Sequence, residues 1–295
     1  MTAKMIDGNQ IAQPIRARIT EEVAEFVQRY DIQPCLGVVL VGDNPASAQY
    51  VRMKRRACEQ VGMRSVGKIL PADCTQADVE DAVNELNQDP TVHGILVQLP
   101  LPSHIDEEAI LRNVSLEKDV DGLHPLNIGL LAMKGREPLF TAATPTGVIE
   151  ILQAVGVSLS GANVAVLGRS NIVGMPVALM ALQLDATVTL CHSRTRDLPN
   201  VLRQADIVIA AIGRANFVQG DWLKQGAIVV DVGTNKVDDP TAPNGYRFVG
   251  DVDLESALPI ASAITKVPGG VGPMTITMVI ANTMKAAQQS VRKTS

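Results

Sequence analysis

The sequence predicts an α/β protein of two domains, and three observations carry the prediction. Short apolar runs rich in Val, Ile and Leu alternate with amphipathic stretches of helical length, the 295 residues exceed what one core usually holds, and a glycine-marked strand and turn begins near residue 163. Composition narrows the partners. Apolar residues make up 46% and charged residues 19% with a net charge of -5, so there is no basic field for nucleic acid and no polybasic stretch for a membrane surface. Aromatic residues, at 3%, are too sparse for base-stacking platforms. No uninterrupted run of about 18 apolar residues offers a membrane span, and the opening MTAKMIDGNQIAQP lacks a signal-peptide core. Cys35, Cys58, Cys74 and Cys191 show no CxxC spacing and the four histidines no HExxH pattern. Reduced structural cysteines, no metal and a reducing compartment such as the cytoplasm are expected.

In chain order, 12–30 reads as a helix, with Glu21, Glu22 and Glu25 alternating with Ile19, Val23 and Phe26. CLGVVLVG (35–42) is a buried strand. Asn44 caps the helix that follows and Pro45 occupies its first turn. A strand over 65–70, a helix over 75–87 capped by Thr75, and the strand VHGILVQL (92–99) complete a β-α-β-α-β run, the signature of a parallel sheet. In such sheets ligands bind outside the carboxyl ends of the strands. The prolines of QLPLP end the third strand there, with Gln98 closing it as a polar side chain.

The helix NPASAQYVRMKRRACEQV (44–61) carries the most telling residue. At 100° per residue, Ser47, Tyr50, Lys54, Ala57, Cys58 and Val61 fall within a sector of about 100°, while Arg52, Arg55, Arg56 and Glu59 point elsewhere. Lys54 therefore faces the protein, where an ammonium is costly to desolvate. Two readings follow: the lysine lays its stem along the core and returns its charge to water, or it lines a cleft with a lowered pKa and exchanges protons, with Tyr50 one turn away. Gln98 has the same two sides, a hydrogen bond to a neighbouring loop or a functional place on the rim that also holds Lys54.

A helix near 107–111 precedes EKDVDGLHPLNIG (117–129), an ordered loop in which Asp119 and Asp121 stand ahead of Gly122 as turn chemistry. TPTGVIEILQAVGV (144–157) starts a helix with Thr144 as cap and leads into the second domain. There NVAVLG (163–168), TVTLCHS (187–193), DIVIAAIG (206–213) and AIVVDVG (227–233) are strands, and a helix over 177–185 follows the turn GRSNIVGMP (168–176). This is a Rossmann-type unit with a variant turn: Gly168 is followed by Ser170 and Gly174, so the middle glycine is missing. An NAD enzyme usually places an acidic residue at the end of the second strand; this chain has His192-Ser193-Arg194-Thr195-Arg196. With Arg169 inside the first turn, a 2'-phosphate and hence NADP are favoured.

Four stretches now resemble one family along nearly the whole chain: VGDNPASAQYVRMKRRACEQVG, HGILVQLPLP with EKDVDGLHPLNIG, GRSNIVGMP, and VPGGVGPMTITMVIANT (267–283). The chain is similar to the bifunctional methylenetetrahydrofolate dehydrogenase/methenyltetrahydrofolate cyclohydrolases. That resemblance implies a folate-binding catalytic domain over 1–146 with 272–295, an NADP domain over 147–271, a last helix over 274–289 returning to the first domain, and a homodimer. It implies roles as well. Lys54 matches the catalytic lysine, Tyr50 a neighbour that stacks on or orients the folate, Gln98 the lysine's hydrogen-bond partner, and Asp121 the carboxylate that holds the pterin, with Leu99 and Pro100 beside them. Pro268, Gly269 and Gly270 match a loop between cofactor and substrate. Gly168, Arg169, Ser170, Ser193, Arg194 and Thr234 match NADP contacts, although Thr234 departs from the isoleucine often found after DVG.

The chemistry agrees with the resemblance. Removing hydride from the methylene bridge leaves an amidinium-like cation beside a cofactor ring that is already cationic, so a charged ammonium would repel both. Lys54 is expected to work neutral for part of the cycle, and hydrolysis of the methenyl product then needs water activated at that carbon. Tyr-x-x-x-Lys is also the pair of short-chain dehydrogenases, but there it follows the Rossmann turn, and here it precedes it by more than 100 residues. A monofunctional dehydrogenase of the same family is the alternative reading, but Lys54 and Gln98 are both present and nothing in the sequence suggests loss of the cyclohydrolase step; a non-catalytic folate- or nucleotide-binding module would not require a lysine on the apolar stripe.

Overall fold

The computed structural model describes residues 2–242 and 244–292, and the chain divides into two compact units. One holds Gln13–Ala143 and the chain from Ile276 onward, the other the residues up to Ala12 with Thr144–Thr275.

After β1 (Lys4–Ile6) and α1 (Gly8–Tyr30), the predicted alternation appears as β2 (Cys35–Val41), α2 (Pro45–Gln60), β3 (Arg64–Leu70), α3 (Gln76–Gln88) and β4 (Gly94–Val97). The three strands are parallel in the order β3-β2-β4, with Leu36 opposite both Ser65 and Gly94. Every residue of the central β2 is buried, as its unbroken apolar run requires. Val39, Val79, Val83, Leu86, Ile95 and Ile110 build the core beneath. Asn44 caps α2 by accepting the N–H groups of Ala46 and Ser47 at 3.0 and 3.2 Å, and Thr75 and Asp78 close a reciprocal box at the start of α3.

Past α4 (Glu107–Asn113), the stretch expected as loop contains α5 (Pro125–Leu131). His124 caps it, its Nδ1 accepting the N–H of Leu126 at 3.1 Å, and Pro125 takes the first position. That start signal lies directly behind the Asp-Gly turn and is masked by it. α6 (Ala143–Ala154) begins one residue before Thr144, which sits in the first turn and does not cap it; its hydroxyl pairs with that of Thr275 at 3.0 Å.

The other unit continues with β5 (Asn163–Leu167), α7 (Gly174–Gln183), β6 (Thr187–Cys191), α8 (Leu198–Arg203), β7 (Ile207–Ala210) and β8 (Ile228–Asp231). A hairpin of β9 (Asn235–Asp238) and β10 (Tyr246–Val249), α9 (Leu254–Ala257) and β11 (Ala263–Thr265) follow, and α10 (Val271–Arg292) ends the described chain. The sheet is parallel throughout, in the order β1-β11-β8-β7-β5-β6. Strand order reverses at β5, which makes the ends of β5, β6 and β7 the switch point where ligands bind. The start of the chain departs from the expected boundary of 1–146: β1 pairs with β11, Lys4 opposite Ala263, so the first residues pack with the six-stranded sheet. Strands of three residues carry no periodicity to read, and their pairing spans most of the chain. α7 also starts earlier than the expected 177, at Gly174, with Pro176 in its first turn.

Candidate active site

α2 runs antiparallel to the strands, so its first turns stand at their carboxyl edge. Lys54 points inward and is 7% exposed, among buried Ser47, Val51, Ala57 and Cys58, while Arg52 and Arg56 are exposed and Arg55 is half-buried, donating to Ser65 Oγ at 3.3 Å. Its Nζ donates to Oε1 of Gln98 at 3.1 Å. The other end of that amide is committed: Gln98 Nε2 donates to the carbonyl of Leu99 at 2.8 Å, which turns the oxygen toward the lysine. Gln98 itself follows β4, and its N–H extends the ladder to the carbonyl of Val39 at 2.9 Å. The Leu99-Pro100 peptide is cis. The snorkelling alternative for Lys54 therefore fails, because the ammonium ends on a side-chain amide inside the unit.

Burial holds Lys54 below the ordinary lysine range, with the charge of Asp121 pulling the other way. Burial likewise lifts the Asp121 carboxyl, opposed by Lys54. In both groups desolvation outweighs mutual attraction, so both lean toward their neutral forms. Tyr50 departs from the expected inward placement: it is 36% exposed. Ser47, a turn nearer the start of α2, is buried on the same stripe, as is the adjacent Val51, so the stripe stays covered there and the exposure belongs to the Tyr50 side chain itself.

Asp121 is held by neighbours the turn chemistry concealed. Asp119, buried, accepts the N–H groups of Leu123 and His124 at 3.1 and 2.9 Å and Nδ2 of Asn127 at 2.7 Å. Asn127 in turn accepts the N–H groups of Leu139 and Phe140. From α10, Asn282 donates to the carbonyls of Val120 and Thr141 at 2.8 and 3.1 Å. Burial pushes the Asp119 carboxyl up to about 6 despite these donors. Asp119 is thus an anchor of the loop and not only a turn former.

A larger cavity of about 810 Å³ opens at the opposite, amino ends of the same strands, lined in part by Arg64, His93 and Lys118. Its polar groups serve the fold. Lys118 donates to the carbonyls of Leu86, Asn87 and Asp89, and His93 Nδ1 accepts the N–H of Cys35 at 3.1 Å, with burial lowering the imidazole to about 4. The four cysteines are buried and free.

In the six-stranded unit a cavity of about 550 Å³ lies at the switch point. It brings together Gly168, Arg169 and Ser170 from the turn after β5, His192, Ser193 and Thr195 after β6, and Ala211, Ile212, Arg214 and Phe217 after β7. Arg194 and Thr234, both exposed, are outside this lining. Gly168 has φ +107°, and a Cβ there would stand 2.1 Å from the carbonyl oxygen of Ala211; one on Gly174 would stand 2.1 Å from that of Gly168. Two of the fingerprint glycines are thereby explained by close packing of strand, turn and helix. Ser170 replaces the third, and its Oγ accepts the N–H groups of Val173 and Gly174 at 3.1 and 3.4 Å. The fit to a phosphorylated dinucleotide rests on this cradle and on Arg169 and Ser193 at its rim. Pro268, Gly269 and Gly270 follow β11, where the carbonyl of Gly269 accepts the N–H of Gly8 at 2.9 Å and Lys266 pairs with Asp7; the Val267-Pro268 peptide is cis.

The loop anchors were missed by sequence reading. Asp231 accepts N–H groups from Gly233, Asp251 and Val252, and Asp251 accepts from Ile212, Gly213 and Arg214. Burial pushes Asp231 up to about 7. Acidic residues ending apolar strands were the available signal. Among the described residues no helix is long and apolar enough to cross a membrane, and no group of His, Cys, Asp and Glu is placed to hold a metal.

Comparison with known proteins agrees with this geometry. Residues 6–121 match the catalytic domain of tetrahydrofolate dehydrogenase/cyclohydrolase, and 142–291 its NAD(P)-binding domain. Bifunctional protein FolD 2 of Arabidopsis thaliana is 54% identical over 288 residues, covering 98% of this chain and 96% of its own, and a Geobacter sulfurreducens FolD 2 is 52% identical over 98% of both. The crystal structure of the Trypanosoma brucei methylenetetrahydrofolate dehydrogenase-cyclohydrolase, complexed with NADP and an inhibitor, is 44% identical and superimposes with a TM-score of 0.95 over 99% of each chain.

Proposed function

This chain belongs to the tetrahydrofolate dehydrogenase/cyclohydrolase family, and on that premise we propose that Lys54, aimed by Gln98, carries the proton transfers of its hydrolytic step while Asp121 holds the folate. The protein is a bifunctional enzyme that oxidises 5,10-methylenetetrahydrofolate to 5,10-methenyltetrahydrofolate with NADP and hydrolyses that product to 10-formyltetrahydrofolate. NADP supplies, when bound, the hydride acceptor of the first step; Gly168, Arg169, Ser170 and Ser193 would hold it, with Arg194 and Thr234 as outer contacts.

The observation that carries the proposal is the Lys54 to Gln98 hydrogen bond within a buried surround. In its neutral form Lys54 does not repel the cation left by hydride loss, and its lone pair takes a proton from water attacking the bridging carbon. The resulting ammonium returns that proton to the ring nitrogen as the carbon–nitrogen bond opens, the remaining hydroxyl proton leaves to solvent as the formyl C=O forms, and Gln98 keeps Nζ aimed throughout. Asp121 holds the pterin, Tyr50 covers it from the exposed edge, and Leu99 and Pro100 complete the folate contacts of this unit; for Pro268, Gly269 and Gly270 a folate contact is supported by the resemblance alone. Resemblance and composition alone support two further parts of the proposal, a homodimer and a cytoplasmic setting, which sedimentation and cell fractionation test.

Following both steps in wild type and Lys54→Met tests the central claim. Hydrolysis is expected to fall about 10²- to 10⁴-fold while NADP+ reduction persists. Wild-type hydrolysis should rise with pH as Lys54 loses its proton, with a midpoint below 10.5. Retained hydrolysis in the variant would remove the lysine from the mechanism.

A further inference from the structure

The loop after β7 ends in a residue that neither the glycine turn nor the end of β6 points to. Arg214 lines the switch-point cavity with its guanidinium carbon 4.1 Å from the centroid of Phe217, which also lines it. Trp222 meets that ring edge-on, centroids 5.5 Å apart at 87°, so the ring is braced. The backbone beneath is fixed with unusual economy: the carboxylate of Asp251, 0% exposed, accepts three successive N–H groups, from Ile212 at 2.7 Å, Gly213 at 3.0 Å and Arg214 at 2.8 Å. Asn235 Nδ2 donates to the same carboxylate at 2.9 Å, and Asp251's own N–H is held by Asp231. Gly213, at φ +66°, lets the chain turn between these bonds.

A planar cation stacked on a ring has a second face, and Arg214 is exposed on the cavity side of the unit. The facing wall after β6 presents the His192 ring and the hydroxyls of Ser193 and Thr195 to the cavity. A flat, electron-rich heterocycle fits between these walls better than another phosphate, which Arg169 already serves from the turn. We propose that the Arg214–Phe217 stack is a wall of the adenine site, so that Arg214 contacts the base of NADP and contributes equally to any adenine dinucleotide. The proposal rests on the assignment of this cavity to the cofactor.

Calorimetric binding of two adenosine fragments, 5'-AMP and adenosine 2',5'-bisphosphate, to the enzyme without and with NADP+, tests it. Binding of both to the wild type that NADP+ abolishes shows that they occupy the cofactor's site, and loss of that binding in Gly168→Ala, whose added methyl group intrudes on the turn lining the cavity, ties the site to this cavity independently of Arg214; binding that NADP+ does not displace, or that Gly168→Ala leaves intact, would overturn that assignment and the proposal with it. With the site so identified, Arg214→Ala and Arg214→Lys should each raise both dissociation constants by the same factor, about fivefold or more, because lysine keeps the charge but not the plane. Phe217→Leu should reproduce the effect with thermal unfolding close to wild type. A loss confined to the bisphosphate and restored by lysine would make Arg214 a phosphate contact and overturn the proposal, as would unchanged constants for both fragments.

Discussion

In the three-stranded unit the groups read as reactive are buried and lean toward their neutral forms: Lys54 below the lysine range, Asp121 above the carboxyl range. In the six-stranded unit the cations at the cavity, Arg169 and Arg214, are exposed, and the buried acidic residues Asp231 and Asp251 serve to hold backbone in place. The contrast follows from the work. A group that must gain and lose a proton near neutrality has to be moved from its ordinary pKa, and burial is the means. A group that only neutralises phosphate or stacks on a base needs permanent charge and a fixed position, and burying it would cost solvation for nothing. One site is built by desolvating side chains, the other by shaping backbone.

The largest effect that separates these designs is steric. Gly168→Ala places a Cβ 2.1 Å from the carbonyl oxygen of Ala211 at a φ of +107°, so strand and turn must part. A destabilisation of about 2 kcal/mol or more and loss of NADP+ affinity are expected, read by thermal unfolding and calorimetry. A backbone-built site cannot absorb this methyl group. Unchanged NADP+ affinity would mean that the cradle is not shaped by the turn.

The two designs were unequally legible. The inward placement of Lys54 was found from helical phase alone, because a 16-residue amphipathic helix repeats its pattern several times. Tyr50 obeyed the same phase and yet is exposed while Ser47, a turn further along the same stripe, is buried, since phase gives the side of the helix and not how far a long side chain reaches past its cover. Gly168 and Gly174 were visible by spacing, whereas Arg214 and Asp251, 37 positions apart, meet only through the sheet. β1 and β11 were invisible for the same reason: each is three residues long and its partner lies far along the chain. Local periodicity specifies elements; loop anchors are set by topology.

Acidification provides the next contrast, because His93 in one unit and Asp231 in the other work in opposite directions. His93 is lowered from 6.5 to about 4, so its contribution is complete above pH 6.5 and is lost as pH falls toward 4, when the unfolded chain binds a proton that the folded one refuses. Asp119, raised to about 6 in the same unit, offsets part of this loss. Asp231, raised from 3.8 to about 7, binds its proton in the folded state first, so its contribution is complete below pH 3.8 and is lost as pH rises through 7. Between pH 4.5 and 6.5, hydrogen exchange corrected for intrinsic rates should show protection around residues 231–252 falling with pH by at most about 1.4 kcal/mol per unit. Protection around Cys35 and His93 should be flatter. Parallel slopes in the two units would erase the distinction.

The smallest effect compares the two helices that present the sites. Asn44 accepts two N–H groups at the start of α2, and Ser170 two at the start of α7, so each is the hydrogen-bond partner of donors that have none inside the helix. Asn44→Ala and Ser170→Ala should each cost about 1 kcal/mol of stability, measured by denaturant unfolding. Their functional signatures should diverge. Loosening α2 shifts Lys54 relative to Gln98, so Asn44→Ala should slow hydrolysis and leave NADP+ affinity unchanged. Removing the Ser170 hydroxyl releases the N–H groups of Val173 and Gly174 at the cofactor turn, so Ser170→Ala should alter NADP+ affinity. If Asn44→Ala weakened NADP+ binding as much as hydrolysis, the lysine helix and the cofactor turn would have to be treated as one coupled site, and the division of labour between desolvated side chains and shaped backbone would fail.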